Sequence, residues 1–220
     1  MNYLKGKIFM SLLVSINSII IQFIKIIYYF YKHQRSKLLI RSLLKGKQKL
    51  YIEVGAGNKK GDNGWITIDL TKNCDIFWDL RKGLPFPDES ISKIYSSHFL
   101  EHLSFKEGQS FLQECLRVLI KKGLFSICVP NARLYLEAYA NNKSLDHYCK
   151  YKSAYNNTTK IDYVNYISYM DGHHKYMFDE ENLLFILKNA GFNSVHLRDF
   201  NPNLDLIQRD YESIYAEGEK

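Results

Sequence analysis

The run KLYIEVGAGN, residues 49 to 58, narrows the choice of fold more than any other stretch. A short β-rich segment stops at Gly55 and Gly57, where a missing Cβ lets the backbone bend tightly and approach a ligand. Further β-rich runs follow at WITIDL (65–70), CDIFWDL (74–80), ISKIYSS (91–97) and GLFSICVP (123–130). SFKEGQSFLQECLRVL (104–119) predicts a helix with Phe111, Leu112, Cys115, Leu116 and Leu119 on one side. Ser104 can cap it, with Glu107 three residues on. DEENLLFILKNAGF (179–192) predicts another helix, started by Asp179 and stopped by Gly191. SVHLRDF and ESIYAEG predict a closing pair of strands. Strands alternating with helices predict an α/β domain with a mainly parallel sheet covered on both faces. A chain of 220 residues suits one such domain with an appendage.

The glycine turn lies at the carboxyl end of the first predicted strand, where open α/β sheets bind nucleotides. It is not a dinucleotide fingerprint, because Lys60 stands where G-x-G-x-x-G needs its third glycine. No P-loop follows either. Asp69 closes the next strand, sixteen residues after Glu53. A carboxylate there can accept both hydroxyls of a ribose. Asp79 closes a third short strand and can take an adenine amino group. Glu53, Asp69 and Asp79 would then sit at three neighbouring strand ends.

YIEVGAGN, ITIDL, WDLRKGLPFPDESISKIYSSHFLEHL and ECLRVLIKKGLFSICVPN resemble class I S-adenosylmethionine-dependent methyltransferases of the small type-11 kind. The resemblance covers roughly residues 49 to 200, and HHKYMFDEENLLFILKNAGF looks like the segment after that family's fifth strand. It implies a Rossmann-like fold and S-adenosyl-L-methionine as cofactor, with Glu53, Gly55, Gly57, Asp69, Asp79, Leu80 and His102 around it. Within the family, the chain most resembles a subgroup associated with cell-surface glycan synthesis. That implies O-methylation of a saccharide or glycolipid precursor. Two departures stand out. Only residues 54 to 64 separate the first two strand cores, so the family's first helix is nearly absent and the methionine end of the cofactor is less covered. IKKG also replaces the usual proline-containing turn.

HFLEH (98–102) spells H-x-x-E-H, a pattern also written for inverted zinc proteases. A protease needs a third ligand and a long helix, and the strand before His98 argues for a cofactor cleft instead. No metal is expected. The resemblance places His102 beside the cofactor, His98 toward the methyl group and acceptor, and Glu101 at a helix start. A hydroxyl acceptor must lose a proton, and a neutral histidine is the natural base near neutral pH. His98, His173 and His174 are the candidates, with Asp171 as an orienting acid. Residues 131 to 177 are assigned to the acceptor side, where nine of 17 tyrosines fall. Their rings suit sugars, although Tyr135 and Tyr139 also fit a core-facing helix.

Residues 1 to 48 form a separate extension. Positions 1 to 50 carry ten Lys or Arg and no acid, while the remainder carries 20 basic and 23 acidic residues. IFMSLLVSINSIIIQFIKIIYYFY (8–31) predicts an apolar helix with one narrow polar stripe at Ser11, Ser15, Ser18, Gln22 and Lys25. Lys25 makes a membrane span costly. A helix lying in an anionic membrane interface fits better, with the body on the cytoplasmic face. A helix packed on the domain or on a second subunit is the alternative. QRSKLLIRSLLK (34–45) predicts a second, shorter helix. The absence of a cleavage site argues against a signal peptide. Cys74, Cys115, Cys128 and Cys149 form no C-x-x-C pair and read as buried reduced thiols. Two other functions fit the same fold. One is a non-catalytic binding or scaffold module. The other, an RNA methyltransferase, is disfavoured because SSHF replaces the Asn/Asp-Pro-Pro-aromatic of base amino-methylases.

Overall fold

The computed structural model describes residues 2–46 and 49–220, with side chains from residue 18 onward. One long helix, α1 (Asn2–Lys45), precedes the domain. Strands β1 (Tyr51–Val54), β2 (Trp65–Asp69), β3 (Ile76–Phe77) and β4 (Ile91–Ser97) follow. Then come α2 (Phe105–Val118), β5 (Leu119–Pro130), α3 (Ala132–Ala140), α4 (Ile161–Tyr169) and α5 (Glu180–Ala190). The antiparallel β6 (Asn193–Leu197) and β7 (Ser213–Glu219) close the chain.

The seven strands form one sheet in the order β3-β2-β1-β4-β5-β7-β6. β3 to β5 run parallel, and β7 is antiparallel to both β5 and β6. The chain leaves β1 in one direction across the sheet and resumes at β4 in the other. Their carboxyl ends therefore flank the crevice where open sheets bind ligands.

The predicted caps form as expected. Ser104 accepts from the Glu107 N–H while the Glu107 carboxylate accepts from the Ser104 N–H, a reciprocal capping box on α2. Asp179 caps α5, and Gly191 ends it at φ 106°. Phe111, Leu112, Cys115 and Val118 of α2 join Leu183, Ile186 and Leu187 of α5 against Ile52, Val54, Ile94 and Ile127 of the sheet in the main core. On the other face, the buried Tyr95 hydroxyl donates to Asp205, which the Arg198 guanidinium grips at 2.6 and 2.8 Å. All four cysteines are free and buried.

Three details differ from expectation. α1 runs unbroken through residues 31 to 34, where no glycine or proline interrupts it before Gly46, so no second helix starts at 34. The third strand shrinks to Ile76–Phe77; just beyond it the Trp78 N–H donates to the Asp69 carbonyl at 3.0 Å and its ring stacks on His33 of α1 with centroids 4.6 Å apart. β5 begins at Leu119, directly after α2, rather than at 123. The last part of α1 belongs to the domain: Ile40 enters the main core, and the buried Ser36 hydroxyl accepts from the Phe77 N–H at 2.8 Å. From Ser18 to Phe30, by contrast, every α1 side chain is exposed. The polar stripe predicted at Ser11 and Ser15 lies outside the described side chains. Among the described residues no helix is long and apolar enough to cross a membrane.

Candidate active site

The turn after β1 contains no helix between residues 55 and 64. Gly55 and Gly57 adopt φ of 67° and 64°, the left-handed region that glycine enters at no steric cost. The Gly57 N–H donates to Oδ2 of Asp69 at 2.9 Å, tying the turn to the end of β2. Glu53 is buried and accepts an ion pair from Lys59 at 2.7 Å. Asp79 sits two residues past β3, where the Arg81 guanidinium engages both its oxygens at 2.9 Å. That contact, above all, holds the Asp79 carboxyl below its usual range. The three acids are thus brought to the ends of three neighbouring strands, as predicted.

Three cavities meet end to end along this edge. The middle one, about 180 Å³, is lined by Asp69, Leu70, Asp79, Leu80, Phe99 and His102 among others. Leu70, Trp78 and Asp79 also line an outer cavity of about 460 Å³, whose far wall is Tyr29 and His33 of α1. His102 also lines the third, about 450 Å³, with His98, Glu101, Asp171, His173 and His174. The first two suit the adenosine part of a cofactor: apolar walls for a base, and an Asp69 carboxylate with one oxygen still free for ribose hydroxyls. The third adjoins them at His102. Its remaining walls include Lys150, Tyr151, Gln208, Arg209, Tyr211 and Glu212. Sequence reasoning missed Arg209, Tyr211 and Glu212, because a 3-10 turn at Ile207–Glu212 carries no motif.

HFLEH follows β4 as a left-handed residue, His98 at φ 48°, and a 3-10 turn, Leu100–His102. Glu101 is no ordinary helix-start acid. It is 2% exposed, and among the described residues neither carboxylate oxygen has a hydrogen-bond partner. Burial pushes its pKa up to about 8. Burial also pushes His98 down to about 3 and lowers His102 and His174, which keeps these imidazoles neutral. A turn through Met170, Asp171 and Gly172, at φ 40°, 55° and 83°, presents His173 and His174 to the same cavity. No hydrogen bond from Asp171 to either histidine is present among the described residues, so Asp171 does not orient them.

The tyrosines of 131–177 divide. Tyr135, Tyr163 and Tyr166 are buried in a second core between α3 and α4. They do not face an acceptor, and Tyr139, predicted beside Tyr135, is exposed. Tyr151 reaches the cavity, and Tyr148 stacks on Tyr211 with centroids 4.9 Å apart.

Residues 72–127 match the methyltransferase domain family. No curated protein matches the chain. A SAM-dependent methyltransferase from Archaeoglobus fulgidus is similar in structure, with a TM-score of 0.51 at 16% identity over 88% of this chain and 99% of that one. A S-adenosylmethionine-dependent methyltransferase from Mesorhizobium loti gives 0.49 at 16% identity, covering 83% of this chain and 96% of its own. Phosphoethanolamine N-methyltransferase 2 of Haemonchus contortus, in complex with S-adenosyl-L-methionine, gives 0.49 at 11% identity over 83% of this chain and 51% of that one, so the present chain spans about half its length. Residues 72–127 thus carry the methyltransferase-domain signature, and the fold of the chain is that of S-adenosylmethionine-dependent methyltransferases.

Proposed function

We propose that the chain methylates a hydroxyl of a saccharide or glycolipid precursor. The observation that carries this reading is His102, which lines both the cofactor cleft and the acceptor cavity. A methyl group presented past Asp69 and Phe99 meets an acceptor at that shared wall. The acceptor cavity is polar enough for a polyhydroxylated ligand, and Tyr151 at its wall offers a ring. Lys150 and Arg209 suit an attached anionic group.

The reaction is an in-line displacement, in which positioning supplies much of the rate. An oxygen lone pair of the acceptor forms the new C–O bond. The methyl C–S bond breaks, and its electron pair stays on sulfur to give S-adenosylhomocysteine. The hydroxyl proton goes to an imidazole. Of the three predicted bases, His98 is held by Ser213 at 2.8 Å and His174 by the Ile167 carbonyl at 2.8 Å. His173 is exposed at the cavity wall, and we assign it the base role.

Incubating the protein with methyl-labelled cofactor and a panel of sugar phosphates and lipid-linked saccharides tests this. Transfer to a hydroxyl is expected, with His173→Ala lowering kcat by roughly 10²- to 10⁴-fold and leaving cofactor affinity unchanged. Transfer confined to amines, or full activity in His173→Ala, would refute the corresponding assignment.

A further inference from the structure

Glu101, His102 and His174 bring one ligand atom each to a common point, with His98 beside Glu101. Ser213 Oγ donates its proton to the Arg209 carbonyl at 2.6 Å. The 2.8 Å contact between that oxygen and His98 Nε2 is therefore donated by the imidazole. This leaves the His98 Nδ1 lone pair 3.7 Å from Glu101 Oε1. His102 Nδ1 lies 2.9 Å from the His173 carbonyl, which can only accept, so its free nitrogen is Nε2, 3.9 Å from the same Glu101 oxygen. His174 donates from Nδ1 to the Ile167 carbonyl, which frees its Nε2.

One ligand atom from each of Glu101, His102 and His174 lies within 4.8 Å of the other two. Two free imidazole nitrogens and a carboxyl group with neither oxygen partnered among the described residues face one another. A buried polar group left without a partner is costly, and a cation that displaces the carboxyl proton would satisfy it. His102 and His174 also each donate the opposite ring N–H to a backbone carbonyl, as metal-ligating histidines do to fix tautomer and orientation.

We propose that Glu101, His102 and His174 bind a divalent transition-metal cation at the floor of the acceptor cavity, with His98 beside it. Two imidazoles and one carboxylate suit the first-row transition series, whereas Mg²⁺ and Ca²⁺ prefer oxygen ligands. Three protein ligands leave positions open toward the cavity. The third ligand lies 72 residues beyond His102, and only the left-handed turn at 170–172 brings it in. A hydroxyl acceptor bound at an open position would lose its proton more readily. That role, unlike the cation site itself, rests on the O-methyl reading above.

The test uses full-length untagged protein, stripped with chelator and titrated with Mn²⁺ while the free-ion paramagnetic resonance signal is followed. One Mn²⁺ per chain should disappear from solution. Glu101→Gln and His174→Ala should weaken binding by more than the ~10- to 100-fold that loss of an outer-shell partner costs. Circular dichroism and cofactor titration check the fold of each variant. Co²⁺ added to the wild type should give d–d bands of imidazole ligation, a readout that needs no variant. Free Mn²⁺ at millimolar concentration beside folded wild-type protein overturns the site, as does unchanged binding in Glu101→Gln. Chelation should also abolish transfer to a hydroxyl while sparing cofactor binding. Chelator-insensitive transfer overturns the cation's role at the acceptor, whereas absent cofactor binding counts against the methyltransferase reading and not against the site.

Discussion

The Phe99 ring packs directly on the bare Cα of Gly55: a Cβ at that glycine would lie 2.3 Å from Cγ of Phe99. The two residues come from the carboxyl ends of β1 and β4, on either side of the point where the strand order reverses. Glycine is required there twice over, once for its φ of 67° and once for this contact. Gly55→Ala therefore has to push Phe99 into the cofactor cleft. The left-handed backbone alone costs about 1–2 kcal/mol for a residue with a Cβ. Urea unfolding should show at least that loss, and cofactor affinity should fall with it. Wild-type stability in Gly55→Ala would mean that the turn is looser than described.

The capping box on α2 gives a pH dependence with a definite sign. The backbone N–H and then the hydroxyl of Ser104 hold the Glu107 carboxyl at about 2, below its reference value of 4.5. A depressed folded pKa stabilises the protein above the unfolded value, and the gain is lost as pH falls toward the folded one. Glu107→Gln should therefore be less stable than wild type at neutral pH, and the difference should shrink between about pH 4.5 and about 2. Unfolding curves at pH 7 and pH 2.5 measure it. A difference independent of pH would show that the ionised carboxylate contributes nothing.

Much of this architecture is legible in the sequence because its signals are local. Ser104 with Glu107, and Asp179 with Gly191, are contained within their own helices. The glycine turn and Asp69 follow from strand ends in series. What escapes is set by contacts between distant segments. Trp78, just past the short β3, stacks on His33, 45 positions earlier. Tyr135, Tyr163 and Tyr166 look like an acceptor wall by composition but form a core of their own. Glu101 spells part of a motif, yet its burial beside His174 depends on three left-handed residues that no periodicity announces. Arg209, Tyr211 and Glu212 arrive from the segment between the last two strands.

The front helix yields a partitioning prediction. Ile19, Phe23, Ile26 and Phe30 are each 63–65% exposed, and Lys32, Arg35, Lys37 and Arg41 follow directly. Apolar burial in a bilayer interface should add to an attraction of roughly 1 kcal/mol for each basic residue near an anionic surface. Full-length protein is expected to sediment with anionic vesicles, less so in high salt. Lys32→Glu combined with Lys37→Glu should weaken it further. A discrete dimer that stays in the supernatant would instead identify the helix as a subunit contact.

The account stands or falls on cofactor binding at the end of β2. Calorimetric titration of the purified chain with S-adenosyl-L-methionine should show one site per chain. Asp69→Ala, which removes the carboxylate proposed to accept the ribose hydroxyls together with the anchor of the Gly57 N–H, should lose most of that affinity while circular dichroism stays native. No heat of binding from the folded wild type at high micromolar cofactor, or an unaltered isotherm in Asp69→Ala, would contradict it.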